Sequence, residues 1–147
     1  MNIGIATDHR GVKQKEKLIK YLEKKGHTIY NYGTDNEVSV DYPDYAFKIG
    51  EKINEGEIEI GVLICGTGVG MCIASNKVKN IRCAKVDNLL EAKLSRTHNN
   101  ANVITLSSYM SLTRMKDILD VFLKTSFSGD ERHVRRLTKI DNYLNEY

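Results

Sequence analysis

Apolar runs and helical repeats alternate along the chain from end to end. Asn2–Thr7 is a short apolar run of strand character. Val12–Lys25 then sets Leu18, Ile19 and Leu22 on one face at helical spacing and meets Gly26 as a stop. Thr28–Tyr32 reads as a second strand, and Asp44–Asn54 as a helix following Pro43, the only proline. Ile60–Cys65 is a third strand, succeeded by a glycine-rich loop and a helix running toward Lys77. Arg82–Val86 and Asn102–Leu106 supply two more strands, and Asn88–Arg96, Leu112–Lys124 and Arg132–Tyr147 the remaining helices. In the last helix Val134, Leu137, Ile140 and Leu144 form the expected buried stripe.

Strands that alternate with helices imply βαβ crossovers and a parallel sheet covered on both faces. The expected architecture is α/β, a single three-layer α/β/α domain over residues 1–147 with no linker, repeat or low-complexity tract. A chain of 147 residues with 41% hydrophobic and 28% charged positions suits one such core. No apolar run approaches the roughly 18 residues of a membrane span, and with Asn2 entering a strand-like run directly, no signal peptide is expected. Net charge is +3, with 22 basic and 19 acidic residues spread along the chain, too mild to argue for nucleic acid. The three cysteines, Cys65, Cys72 and Cys83, form no CxxC pair and fit a reduced, cytoplasmic protein.

Parallel sheets of this kind bind ligands beyond the carboxyl ends of their strands. The residues there are Asp8-His9-Arg10-Gly11, Gly33-Thr34-Asp35, Cys65–Gly70 and Ser107-Ser108-Tyr109. Gly66, Gly68 and Gly70 match neither GxGxxG nor a Walker loop. A glycine turn opening a helix still offers convergent N–H groups to a phosphate or oxyanion, although a tight turn needs the same residues. Cys65, at the mouth of this turn, is either a small buried hydrophobe or a thiolate favoured by the following amides. Cys72 and Cys83 lack that setting and read as core. Asp8-His9 is a weak acid/base or phosphate signal, and His98-Asn99-Asn100 is explained equally by a helix C-cap. Arg132 and Arg136, four apart in RHVRR, offer two forked donors on one helix face; a solvated face is the plainer account. His9, His27, His98 and His133 show no metal-ligand spacing.

Assembled, these stretches resemble the ribose-5-phosphate isomerase B family over essentially the whole chain. The resemblance rests on ATDH at residues 6–9, DYPDYA at 41–46, LICGTGVG at 63–70, SNK at 75–77, SRTHNNANV at 95–103 and RHVRR at 132–136. It implies a Rossmann-like fold with an open five-stranded parallel sheet, no cofactor and no metal. It also implies a homodimer able to pair into tetramers, with sites shared between subunits. By the same resemblance the chain interconverts ribose 5-phosphate and ribulose 5-phosphate in the pentose phosphate pathway. Cys65 would be the proton-moving base, and Gly66, Thr67, Gly68, Val69 and Gly70 would line the anion hole. His98, with Asp8 and Thr67, would open the sugar ring. His9, Arg132 and Arg136 would hold phosphate, and Tyr42 and Asn99 would contact the sugar. Two positions depart from the family pattern. Tyr109 stands where many members carry Arg, leaving that substrate contact to a phenol, and the segment from Phe127 to His133 is one residue longer. The related galactose-6-phosphate isomerase divides its parts between two unlike subunits, whereas this chain carries both sets. A six-carbon substrate such as allose 6-phosphate or galactose 6-phosphate, or a silent sugar-phosphate-binding protein, is the alternative.

Overall fold

The computed structural model describes residues 1–143. In chain order it contains β1 (Asn2–Thr7), α1 (Val12–Lys24), β2 (Thr28–Asn31), α2 (Tyr42–Asn54), β3 (Ile60–Cys65) and α3 (Val69–Ser75). β4 (Cys83–Lys85), α4 (Leu89–Thr97), β5 (Val103–Ser107), α5 (Leu112–Lys124) and α6 (Glu131–Asn142) follow. The five strands form one parallel sheet in the order β2-β1-β3-β5-β4. None of the helices among the described residues is long and apolar enough to cross a membrane.

Most element boundaries shift by one or two residues from the sequence reading, as three of them illustrate. α2 begins at Tyr42 rather than Asp44, because Pro43 sits in its first turn, where a missing N–H costs nothing. β4 shrinks to three residues at the sheet edge, with Arg82 and Val86 outside it. α3 stops at Ser75, two residues short of Lys77. The expected extension of α6 to Tyr147, with Leu144, lies outside the described residues.

The pleat sorts side chains into two layers. Ile3, Ile5, Val62, Ile64, Ile104 and Leu106 face one side and pack with Leu18, Leu22, Ile118 and Phe122 of α1 and α5. Ala6, Leu63, Cys65 and Val103 face the other, against Ala46 and Ile49 of α2 and Met71 and Ala74 of α3. Cys65 thus belongs to the α2/α3 side. On that side the sheet is bare at Gly4 and Gly61, and α2 settles into the space. A Cβ at Gly61 would fall 2.3 Å from Ile49 Cγ2.

One stripe expectation fails. In α6 only Leu137 (7% exposed) and His133 (4%) are buried, while Val134 is 45% and Ile140 56% exposed. His133 and Leu137 are one turn apart, so the helix touches the body along that row and turns Val134 and Ile140 away.

A buried lysine organises the loop after β2. Lys15 in α1 has no exposed surface, yet its Nζ donates to Asn31 Oδ1 (2.9 Å), Thr34 O (2.7 Å) and Gly33 O (3.4 Å) and pairs with the Asp35 carboxylate. It gathers the chain as it leaves the sheet edge. Gly33 lies so close to β1 that a Cβ would meet Thr7 N at 2.3 Å.

Lys15→Met should destabilise the protein by about 2–3 kcal/mol, since the strap's oxygens lose their common donor. A urea melt measures this. The Asp35 carboxyl is held below its ordinary 3.8, first by the Lys15 hydrogen bond and then by Asn31. Its contribution is therefore present above that value and lost as pH falls through the lowered one. The stability advantage of the parent over Asp35→Asn should be full at about pH 7 and vanish in strong acid; a gap that widens in acid would contradict the assignment.

Candidate active site

The carboxyl ends of β1, β3 and β5 open into a cleft of about 320 Å³ lined by Asp8, Arg10, Tyr42, Cys65, Gly66, Thr67, Gly70 and Tyr109. Seven of these eight were singled out for substrate or catalysis from the sequence; Arg10 was not. Cys65 ends β3 and is 5% exposed. Its carbonyl accepts from Ser108 N at 2.9 Å, which ties the β3 and β5 ends together. Asp8 is also 5% exposed, and its Oδ1 accepts from Arg10 N at 2.9 Å. His9, half-buried, accepts at Nδ1 from Val40 N at 3.4 Å, so its Nε2 carries the proton when the ring is neutral.

Each glycine of the turn has its own physical reason. Gly68 adopts φ 83° and ψ −14°, the left-handed conformation that starts α3. Gly70 makes room for Tyr42, whose ring Cζ would lie 2.7 Å from a Cβ there. Gly66 lies beneath the Arg10 side chain, whose Cδ would be 3.2 Å from an added Cβ. Thr67 is exposed at the apex and accepts at Oγ1 from Val69 N (3.3 Å). Val69 itself opens α3 with its side chain outward, 48% exposed.

The remaining candidates stand elsewhere. His98 caps α4 and, with Asn99, precedes β5, so both lie at the amino edge of the sheet. Cys65 is in register with Ser107, at the far end of β5. Five residues of β5 at about 3.3 Å each separate the two groups by roughly 16 Å. One chain therefore does not bring His98 to Asp8 and Thr67. His98 instead packs on His133, ring centroids 4.4 Å apart, and His133 Nδ1 meets Ser128 Oγ at 2.7 Å. Burial first, and then the His98 and Arg132 charges, push the His133 imidazole below its usual 6.5. Arg132 and Arg136 are exposed on the same helix. Asn99 lines a second cavity of about 400 Å³ with Arg82, Leu137 and Ile140. Within the Phe127–His133 segment, Gly129 adopts the left-handed conformation (φ 70°) just before α6.

His133 was passed over because RHVRR reads as a charge cluster. Its spacing of four from Leu137 was the available signal. Cys72 and Cys83 also differ from the core reading. Both are half-buried, and Cys72 Sγ lies 3.5 Å from Cys83 O and 3.6 Å from Asn76 Nδ2. The Cys83 hydrogen bond is the main reason that the Cys72 thiol falls to about 6, and it pushes Cys83 up. No group of His, Cys, Asp and Glu among the described residues could hold a metal ion.

Residues 3–140 match the Ribose/Galactose Isomerase family. The fold superposes on a ribose-5-phosphate isomerase B of Clostridium thermocellum with a TM-score of 0.96, at 41% identity, covering 100% of this chain and 99% of that one. The corresponding enzyme of Thermotoga maritima gives a TM-score of 0.92 at 44% identity over 96% and 97% of the two chains. The Mycoplasma genitalium enzyme, solved with bound ribulose-5-phosphate, gives 0.93 at 41% identity over 99% and 97%. With cleft, fold and similarity in agreement over the whole match, the chain is an isomerase and belongs to the ribose/galactose isomerase family.

Proposed function

We propose that the protein interconverts ribose 5-phosphate and ribulose 5-phosphate, as a step of the pentose phosphate pathway, with Cys65 as the base. The observation that carries this reading is the placement of Cys65: a nearly buried thiol at the end of β3, against a glycine turn, in one cleft with Asp8 and Tyr42. The bound ribulose-5-phosphate in the Mycoplasma genitalium relative supports the five-carbon substrate.

In the open-chain aldose, the Cys65 thiolate takes the proton from C2. The electrons move to the C1 carbonyl oxygen and form an enediolate, whose charge free backbone N–H groups of the Gly66–Gly70 turn stabilise. Returning the proton at C1, with a proton passing from the C2 hydroxyl to O1, gives the ketose. Ring opening needs an acid and a base, for which Asp8 and Thr67 stand on the Cys65 side and His98 on the other. His9, Arg132 and Arg136 hold the phosphate, while Tyr42 and Asn99 meet the sugar hydroxyls.

The sheet's polarity makes the assembly part of the reading. Cys65 and His98 lie at opposite edges within a chain, so a pocket containing both draws His98, Asn99, Arg132 and Arg136 from a second copy. A two-fold homodimer then holds two equivalent pockets. The outward Val134 and Ile140 of α6 are apolar surface of the kind such contacts cover.

Cys65→Ala should fold normally and lose exchange of the C2 proton with deuterated solvent, followed by proton NMR of ribose 5-phosphate. Retained exchange would remove Cys65 from the mechanism. A mixing experiment tests the shared pocket. Cys65→Ala and His98→Ala chains, each nearly inactive, are unfolded together and refolded. About half the dimers are mixed, each with one intact pocket, so activity should return to roughly a quarter of the parent's. No recovery in confirmed mixed dimers would place the whole site within one subunit.

A further inference from the structure

We propose that Arg10 anchors the substrate at the rim of the Cys65 cleft, its guanidinium binding the phosphate group of the sugar phosphate. This rests on the isomerase reading above and gives a role to a residue that the sequence placed at the strand ends without assigning it one.

The placement is specific. The aliphatic stem of Arg10 runs over Gly66, whose missing side chain leaves the space it occupies. Its guanidinium then reaches the opposite rim, where Nη1 donates to Tyr109 OH at 3.4 Å. Asp8 and Arg10 are the only charged residues lining this cleft. Asp8 is buried on its wall, while Arg10 is exposed at its mouth. The two side chains do not neutralise each other: Arg10 enters no ion pair among the described residues, and Asp8 Oδ1 takes the backbone N–H of Arg10 instead.

An unpaired guanidinium beside a cleft is a fork of donors waiting for an anion. One N–H goes to Tyr109, which fixes the plane of the group, and the others remain for oxygens. The chemistry at the cleft floor concerns C1 and C2, and in a pentose 5-phosphate the phosphate sits at the other end of the carbon chain. A substrate with C2 at Cys65 therefore directs its phosphate outward, toward the rim where Arg10 lies. His9, a proposed phosphate contact, is the residue just before Arg10 in the chain. Tyr109 acts through Arg10 as a positioning residue, and at 75% exposure it serves no packing role that would explain it otherwise.

The test is calorimetric titration of inorganic phosphate into the parent, Arg10→Met, Arg10→Lys and Tyr109→Phe, with steady-state kinetics on ribose 5-phosphate. Met keeps the stem over Gly66, and because Arg10 is exposed the fold does not depend on its charge. Arg10→Met should weaken phosphate binding about tenfold and raise KM in proportion, with kcat within about threefold of the parent. Arg10→Lys should recover part of the affinity. Tyr109→Phe should lose less, and nothing further in the Arg10→Met background, because its effect passes through Arg10. Equal phosphate affinity in the parent and Arg10→Met overturns the proposal, as does a parent that binds no phosphate. A fall in kcat with phosphate affinity unchanged overturns it too. If phosphate binding depends on Arg10 but ribose 5-phosphate is not isomerised, the isomerase reading falls and the phosphate contact stands.

Discussion

All five strands run parallel, so their carboxyl ends open on one edge of the sheet and the helices return the chain to the other. Everything about the site follows from this polarity. Residues that follow strands, such as Asp8, Cys65 and Tyr109, collect at one edge. Residues that end helices and precede strands, such as His98 and Asn99, collect at the opposite edge. α6 joins the second group, since His133 packs on His98 and Arg82 Nη1 bonds Asp141 at 3.0 Å. A chain folded in this way holds its two groups of candidate residues at opposite edges of the sheet, and the proposed pocket shared between two copies starts from that separation.

Close backbone approach is the second organising device, and glycine makes it possible. Gly4 and Gly61 thin the sheet where α2 crosses it, which lowers the helix onto β1 and β3. Tyr42 at the start of α2 then reaches the space left by Gly70. Gly33 lets the β2–α2 segment pass against Thr7, with Lys15 holding that segment from below. These contacts link sheet packing to the cleft. The positions of Tyr42, His9 and Asp8 depend on residues with no chemistry of their own.

Electrostatics divides along the same lines. The Cys65 cleft is lined by a buried carboxylate and one exposed guanidinium, whereas the opposite edge of the sheet carries Arg132, Arg136 and two histidines in ring contact. Burial and then the neighbouring charges push the His133 imidazole down, while its Nδ1 meets Ser128 Oγ and its ring packs on His98.

Much of this architecture was legible in the chain. The alternation of strand and helix patterns is local, depends on side-chain period, and located all five strands and six helices to within a few residues over the described part. The chemistry-bearing loops were legible for the same reason, because a parallel sheet puts strand ends together whatever its details. What the pattern could not carry was anything set by contact across the fold. Arg10 stood among the strand-end residues without a role, and only the fold places Gly66 and Tyr109 on either side of it. The burial of Lys15 needs four oxygens from residues 16 to 20 positions away. The stripe of α6 was drawn through Val134 and Ile140 because periodicity marks an apolar face without saying what it meets; only the tertiary structure shows that Leu137 and His133 touch the body while the rest turns outward. Local periodicity determines which elements form and in what order. The direction in which each presents its side chains to the others is a property of packing, and only the folded structure decides it.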